Sequence, residues 1–220
     1  MLISSGWNNG SPLDNTEIID LRSGETFHMA PLAKRTPGAT GGLLDGLPVI
    51  VGGLDDRQIH SIAKDQSKFL GQLTVKREDA ASVVLSNNTL WVTGGQDQSW
   101  NRLKTTEFVT KEGKTSKGPD LPLALRAHAI VALNRGVFIL IGGLSDNGRP
   151  SATYFYEEKK GWRPGPNLKN GRWMHTAGVL TDRVSTKQYI VVVGGYGATT
   201  SVEYLEYPGS NEWMNGKPSH

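Results

Sequence analysis

The stretch "YIVVVGGYG" at residues 189–197 is a run of bulky β-forming residues that ends at two glycines. Similar runs occur earlier: "LPVIVGG" (47–53), "LWVTGG" (90–95), "VFILIGG" (137–143) and a weaker "MLISSG" (1–6). Their last glycines, Gly6, Gly53, Gly95, Gly143 and Gly195, are separated by 47, 42, 48 and 52 residues. A period in this range indicates a repeat architecture in which each unit is one supersecondary element.

Each repeat reads as four short strands. A stretch of small and apolar residues comes first, the bulky run with its glycines second, an alternating segment such as "VEYLEY" (202–207) third, and a short piece with an aromatic residue fourth. These segments are rich in β-branched and aromatic residues and are bounded by turn formers. The sequence therefore predicts an all-β protein with about five units of four antiparallel strands.

The predicted units form a single domain over residues 1–220. Their approximate bounds are 1–34, 35–76, 77–124, 125–170 and 171–220. The first unit has Ser5-Gly6 in place of two glycines and lacks a first strand, so we expect it to be incomplete.

The glycine doublets and the fourth-strand aromatics are the predicted structural signature. A strand that ends sharply close to other backbone favours residues without a Cβ, which adopt positive φ at little cost. The doublets are Gly52-Gly53, Gly94-Gly95, Gly142-Gly143 and Gly194-Gly195. The aromatics Phe27, Phe69, Trp162 and Trp213 are expected to fill the space between adjacent sheets.

Composition excludes several classes of partner and cofactor. The chain has 24 basic and 21 acidic residues, a net charge of +3, and no basic stripe, so we expect neither nucleic acid nor a membrane as a partner. It has no cysteine, which excludes disulfides and thiolate metal sites. With no recognisable signal peptide, the expected location is cytoplasmic.

This pattern resembles the kelch repeat of animal kelch-like proteins. The matching features are the four doublets, the third-strand aromatics Phe108, Tyr154 and Tyr204, and the later Trp162 and Trp213. The resemblance implies a β-propeller of the galactose-oxidase-like superfamily, with four-stranded blades arranged radially around a channel. The incomplete first unit suggests a partial or truncated propeller.

No catalytic constellation stands out. His128 and His175 recur at equivalent positions, which favours a local structural role over catalysis. The chain contains no P-loop, GxGxxG, GxSxG or HExxH motif. We therefore expect no catalytic residue, no cofactor and no metal, and the copper-radical enzymes built on kelch propellers are excluded by their need for a cysteine.

The candidate binding residues are four arginines and two loop aromatics. Arg35, Arg77, Arg126 and Arg172 each precede a first strand. In kelch adaptors, arginines at similar places bind acidic peptides, which guanidinium groups recognise bidentately. The alternative is that each arginine pairs with backbone or a neighbouring acid. Trp100 and Tyr196 follow second strands in loops, where an exposed aromatic suits a binding hot spot.

The favoured function is a non-catalytic protein-interaction module, a scaffold or adaptor that presents one face to a protein or peptide, with an acidic partner as one expectation. With a BTB-type domain outside this chain it would act as the substrate receptor of a ubiquitin ligase. The alternatives are an enzyme or carbohydrate-binding propeller of the galactose-oxidase-like or epimerase-like type, and a degenerate copy without retained function.

Overall fold

The computed structural model describes residues 2–20, 22–54 and 56–216, and within them the chain is built from β-strands. Five antiparallel sheets form, the first of three strands and the others of four. The described residues contain one 3-10 turn, Asn134–Gly136, and no α-helix. They therefore include no helix of the length and apolarity that a membrane span requires. The predicted fold class, an all-β repeat protein with about five sheets and an incomplete first one, is confirmed.

The strands follow one another in chain order, and each sheet is a meander. Sheet 1 contains β1 (Leu2–Asn8), β2 (Ser11–Ile19) and β3 (Thr26–His28). Sheet 2 contains β4 (Thr40–Leu44), β5 (Leu47–Val51), β6 (Gln58–Ile62) and β7 (Ser67–Gln72). Sheet 3 contains β8 (Ala81–Val84), β9 (Leu90–Thr93), β10 (Thr106–Val109) and β11 (Thr115–Lys117).

The remaining two sheets have the same order. Sheet 4 contains β12 (Ala129–Ala132), β13 (Val137–Ile141), β14 (Thr153–Glu157) and β15 (Gly161–Pro164). Sheet 5 contains β16 (Thr176–Thr181), β17 (Gln188–Val193), β18 (Val202–Tyr207) and β19 (Met214–Asn215). Every sheet lies within one of the predicted repeat ranges.

The chain divides into two compact units, Met1–Asp120 with sheets 1 to 3 and Leu121–His220 with sheets 4 and 5. The prediction of a single domain stays a prediction. In the first unit, Leu44, Val51, Leu90 and Val92 belong to one apolar cluster that joins sheets 2 and 3. In the second unit, a corresponding cluster joins sheets 4 and 5 and includes Trp213.

Strand burial follows from residue type. The bulky run of β13, "VFILI", is buried at all five positions, because both faces of this second strand are covered. In β18, "VEYLEY", fully buried residues alternate with partly exposed ones over the first four positions, as side chains on successive residues point to opposite faces. The apolar run thus accounts for the burial of β13, whereas one of the two buried positions of β18 is occupied by the charged Glu203.

The prediction that fourth-strand aromatics are buried is right for Trp213 and wrong for Phe27 and Phe69. Trp213 is fully buried, and its Nε1 donates a hydrogen bond to the carbonyl of Pro166 at 2.9 Å. Phe27 and Phe69 are each 51% exposed, because they lie on outward faces of the edge strands β3 and β7. In sheet 3, which lacks a fourth-strand aromatic, the buried indole belongs to Trp91 on the second strand.

The glycine doublets adopt a conformation that other residues reach only with strain. All eight doublet glycines have positive φ, from 56° at Gly142 to 106° at Gly53 and Gly143. The Gly53 amide donates to the carbonyl of Arg77 at 2.8 Å, and the Gly143 amide donates to that of Arg172 at 2.9 Å. Each of these bonds ties the end of a second strand to the segment that leads into the next sheet.

We predict that Gly143→Ala destabilises the protein far more than Gly148→Ala. Both residues have strongly positive φ, at 106° and 99°, so both alanines incur a backbone cost of about 1–2 kcal/mol. A Cβ on Gly143 would lie 2.8 Å from the Cβ of His128, whereas a Cβ on Gly148 would meet no atom within 4 Å. Urea denaturation should show at least about 1–2 kcal/mol of additional loss for Gly143→Ala. Equal losses would contradict the close-packing argument.

Candidate functional site

Arg77 is buried inside sheet 3. Its side chain is 1% exposed, and its Nε and Nη2 donate to Glu107 Oε1, each at 3.1 Å. Nη1 donates to the carbonyls of Gly94 and Thr105. Burial lowers the pKa of Arg77, and the Glu107 carboxylate opposes that shift. The guanidinium thus links the glycine doublet, the loop that follows the doublet and the third strand through hydrogen bonds. The guanidinium is not accessible to a partner in this structure.

Arg172 repeats this arrangement in sheet 5. Its side chain is fully buried, and Nη2 donates to the carboxylate of Glu203 and to the hydroxyl of Ser201. Nη1 donates to the carbonyls of Gly194 and Ser201. These contacts match those of Arg77 except at Nε, which donates to the glutamate in Arg77 and makes no hydrogen bond with the described residues in Arg172. For these two arginines the structure therefore corresponds to the alternative of internal pairing.

Sheet 4 replaces the same ion pair by apolar contacts. Glu107 and Glu203 face Val92 and Val192, two residues before their doublets, and Tyr154 faces Leu140 in the corresponding register. In place of a buried arginine stands Leu125, which is 1% exposed and belongs to a cluster with Leu140 and Tyr154. Sheet 4 therefore has leucine and tyrosine at the two positions that hold arginine and glutamate in sheets 3 and 5.

Arg126 is therefore one residue out of register with Arg77 and Arg172. It forms an isolated β-bridge with Leu144, as Glu78 does with Gln96 and Trp173 with Tyr196. A shift of one residue along an extended segment turns the side chain to the opposite face. The side chain of Arg126 accordingly lies partly exposed, with its guanidinium carbon 5.1 Å from the ring centre of Trp173.

Arg35 precedes sheet 2 and stays at the surface. Its side chain is 59% exposed, and its Nε lies 3.7 Å from Asp14 Oδ2. The third-strand position that holds a glutamate in sheets 3 and 5 is His60 in sheet 2, opposite Ile50. Without that carboxylate, no buried partner offsets the cost of burying the guanidinium.

A stack of three side chains lies at the ends of sheets 4 and 5. The rings of Trp173 and Tyr196 have centres 5.0 Å apart and an angle of 24° between their planes, and Arg126 lies against the same indole. Tyr196 is 59% exposed and covers one end of the stack. The structure thus brings two sequence-predicted residues, Arg126 and Tyr196, together through Trp173.

Two further exposed residues lie next to members of the stack, Met174 beside Trp173 in the sequence and Arg149 close to Gly197, which follows Tyr196. Met174 is 50% exposed, and its amide donates to the carbonyl of Ala127 at 2.9 Å, which fixes the backbone beside Trp173. Arg149 is exposed, and its Nη1 lies 2.8 Å from where a Cβ on Gly197 would be. We call Arg126, Arg149, Trp173, Met174 and Tyr196 the stack surface. Arg149, Trp173 and Met174 were not predicted from the sequence, although Trp173 and Met174 directly follow Arg172.

Trp100 lies in the first unit, in the loop between β9 and β10, as predicted from the sequence. Its side chain is 66% exposed. Beside it is a cavity of about 190 Å³, lined by Gly53, Leu54, Lys76, Glu78, Gln96, Asp97, Gln98 and Trp100. We call this the Trp100 cavity.

The recurring histidines lie near the glycine doublets of sheets 4 and 5, His128 buried and His175 partly buried. Burial, reinforced by the nearby His175, lowers the pKa of His128 to about 3. Burial, followed by the charge of Arg172, lowers the pKa of His175 to about 4. Both imidazoles are therefore neutral near pH 7, and their pKa values are far from those that suit acid–base catalysis there.

Among residues 2–20, 22–54 and 56–216, no group of three or more histidine or acidic side chains is placed to hold a metal ion. The largest fully buried charged side chains, Arg77 and Arg172, are paired within their own sheets. Exposed aromatic side chains lie close to charged groups on the stack surface and at the Trp100 cavity, and these two arrangements suit binding.

The chain is similar in sequence to a kelch-like protein. The chain is 30% identical over 134 residues to Kelch-like protein 41b of Danio rerio, a match that covers 58% of this chain and 21% of the relative. The chain thus spans about a fifth of the curated relative that it matches. No family model matches. The similarity supports, at a coarse level, a kelch-type repeat.

We predict that Arg172→Leu alone destabilises the protein by about 3–5 kcal/mol, because it leaves the Glu203 carboxylate buried without its cation. The double variant Arg172→Leu/Glu203→Tyr should be more stable than Arg172→Leu, because Leu125 and Tyr154 make the corresponding contact in sheet 4. Urea denaturation gives both values. Glu206→Gln, which breaks the exposed pair with Lys187, should cost less than about 1 kcal/mol. A double variant less stable than Arg172→Leu would contradict the proposed equivalence.

Proposed function

We propose that the chain is a non-catalytic protein-interaction module that docks a protein or peptide on the stack surface. The observation that carries the proposal is the exposed ring of Tyr196, stacked on Trp173, which also contacts Arg126. Tyrosine, tryptophan, methionine and arginine are the side chains enriched in the centres of protein interfaces.

The stacking of Tyr196 on Trp173 favours this surface as a binding site. A stacked tyrosine loses little conformational freedom when a partner covers it, so more of the contact energy remains for binding. The guanidinium of Arg126 also lies against the Trp173 indole, an interaction worth about 0.5–1 kcal/mol at an exposed site.

The charges of the stack surface favour acidic residues in the partner. Arg126 and Arg149 both border it, and the carboxylate of Glu203 is occupied by the buried Arg172. Guanidinium groups bind carboxylates bidentately, which adds specificity as well as affinity. This proposal retains Arg126 and Tyr196 from the sequence-predicted set and adds Arg149, Trp173 and Met174.

Roles of a larger protein depend on sequence beyond these 220 residues. Since the chain matches about a fifth of its curated relative, delivery of a bound substrate to a ubiquitin ligase is part of the proposal only where an adaptor domain accompanies the repeats. The docking surface itself is proposed independently of that attachment.

The test compares proteins recovered from cell extracts by the immobilised chain and by Tyr196→Ala, using quantitative mass spectrometry. We expect at least one partner to fall by about tenfold or more, the loss typical of a hot-spot aromatic. Phe69→Ala is the matched control, because Phe69 is a similarly exposed aromatic, at 51%, on the other unit. Equal recovery of every protein by all three forms would contradict the proposal.

A further inference from the structure

The loop that carries Trp100 is held in one conformation by its own hydrogen bonds. The amide of Asp97 donates to the carbonyl of Asn101, and the amide of Trp100 donates to that of Asp97, each at 3.0 Å. The Asp97 carboxylate accepts from the amides of Ser99 and Asn101 and from the Asn101 side chain. These hydrogen bonds therefore hold the backbone from which the Trp100 side chain projects.

Trp100 is an unfavourable residue for its position. Its φ of 63° lies in the left-handed region, which bulky side chains seldom adopt, and two-thirds of the side chain is exposed. A glycine or asparagine would fold into this turn with less strain. Neither backbone preference nor burial accounts for an indole here, so its role lies in what the exposed ring contacts.

The Trp100 cavity combines this ring with an excess of negative charge. Glu78 and Asp97 both line it, against the one ammonium of Lys76. The side-chain amide of Gln96, a residue only 3% exposed, donates through Nε2 to Glu78 Oε2 at 2.9 Å and positions that carboxylate. Hydrogen bonding, chiefly from the Asn101 side chain, lowers the pKa of Asp97 and keeps its carboxylate ionised.

We propose that the Trp100 cavity binds a basic side chain, arginine or lysine, of a partner polypeptide. The cation would lie against the exposed indole and hydrogen-bond to the carboxylate of Glu78. Aromatic rings attract cations through their faces, and carboxylates accept charge-assisted hydrogen bonds. Charge complementarity decides the occupant, because the cavity carries two carboxylates and one ammonium.

This site is distinct from the stack surface in position and in chemistry. The cavity belongs to the unit Met1–Asp120, and the stack surface to Leu121–His220. It selects a cation, whereas the stack surface favours acidic residues. The proposal therefore stands or fails independently of the proposed function.

The test titrates the ¹⁵N-labelled chain with three blocked tripeptides, Ac-Ala-Arg-Ala-NH₂ and its glutamine and glutamate counterparts. The readout is the indole N–H signal of Trp100, identified by its loss in Trp100→Leu. We expect a saturable shift with the arginine peptide, at least about fivefold weaker binding of the glutamine peptide, and no shift with the glutamate peptide. Equal affinities for the arginine and glutamine peptides would overturn the proposal.

Two charge-matched variants separate specific binding from the general field of the protein. Glu78→Gln removes a carboxylate from the cavity, and Glu112→Gln removes one from an exposed position elsewhere on the same unit. We expect Glu78→Gln to weaken the arginine peptide by about fivefold or more and Glu112→Gln to leave it unchanged. Equal weakening by both variants would overturn the proposal, and unchanged signals from the other indoles verify that each variant is folded.

Discussion

The structure depends on one backbone hydrogen bond that recurs between repeats. The amide of the second glycine of a doublet donates to a backbone carbonyl in the segment that leads into the following sheet. The two bonds run from Gly53 to Arg77 and from Gly143 to Arg172. The donor is in reach only because both glycines adopt positive φ and because no Cβ keeps the incoming segment away. A sheet of four short strands buries little apolar surface alone, so this bond and the apolar cluster beside it make neighbouring sheets interdependent.

The buried ion pairs act on the same junction. In sheets 3 and 5 an arginine joins the first doublet carbonyl, the following loop and the third-strand glutamate, whereas sheet 4 reaches a comparable arrangement with Leu125 and Tyr154. Replacing a buried ion pair as a whole can be neutral, although removing one partner is costly. The repeat therefore tolerates either chemistry, and the arginines of the proposed docking surface, Arg126 and Arg149, are not part of these buried ion pairs.

The sequence predicts the fold well because the fold depends on local features. The doublets, the apolar second strands and the missing first strand of sheet 1 are all visible in short stretches, and the structure agrees with them. Phe27 and Phe69 were misjudged because aromatic identity does not reveal which face of an edge strand a side chain occupies.

The site was less predictable, since it depends on register and on contacts between distant residues. One residue separates the register of Arg126 from that of Arg77, and this shift moves a guanidinium from a buried clamp to an exposed stack. The spacing of arginines in the sequence is too variable to reveal it. Trp173 and Arg149 gain significance only once Tyr196 and Gly197 lie beside them. The exposure of Trp100, in contrast, follows from its place in a polar loop.

The most direct measurement of the central claim is native-state hydrogen exchange at the amides of Gly53 and Gly143. If these amides link the repeats, they should exchange as slowly as the amides of the buried strand β13, through global unfolding and with the same dependence on urea. Exchange of both glycines at rates close to those of exposed loop amides would contradict the account, because the sheets would then be held together without this bond.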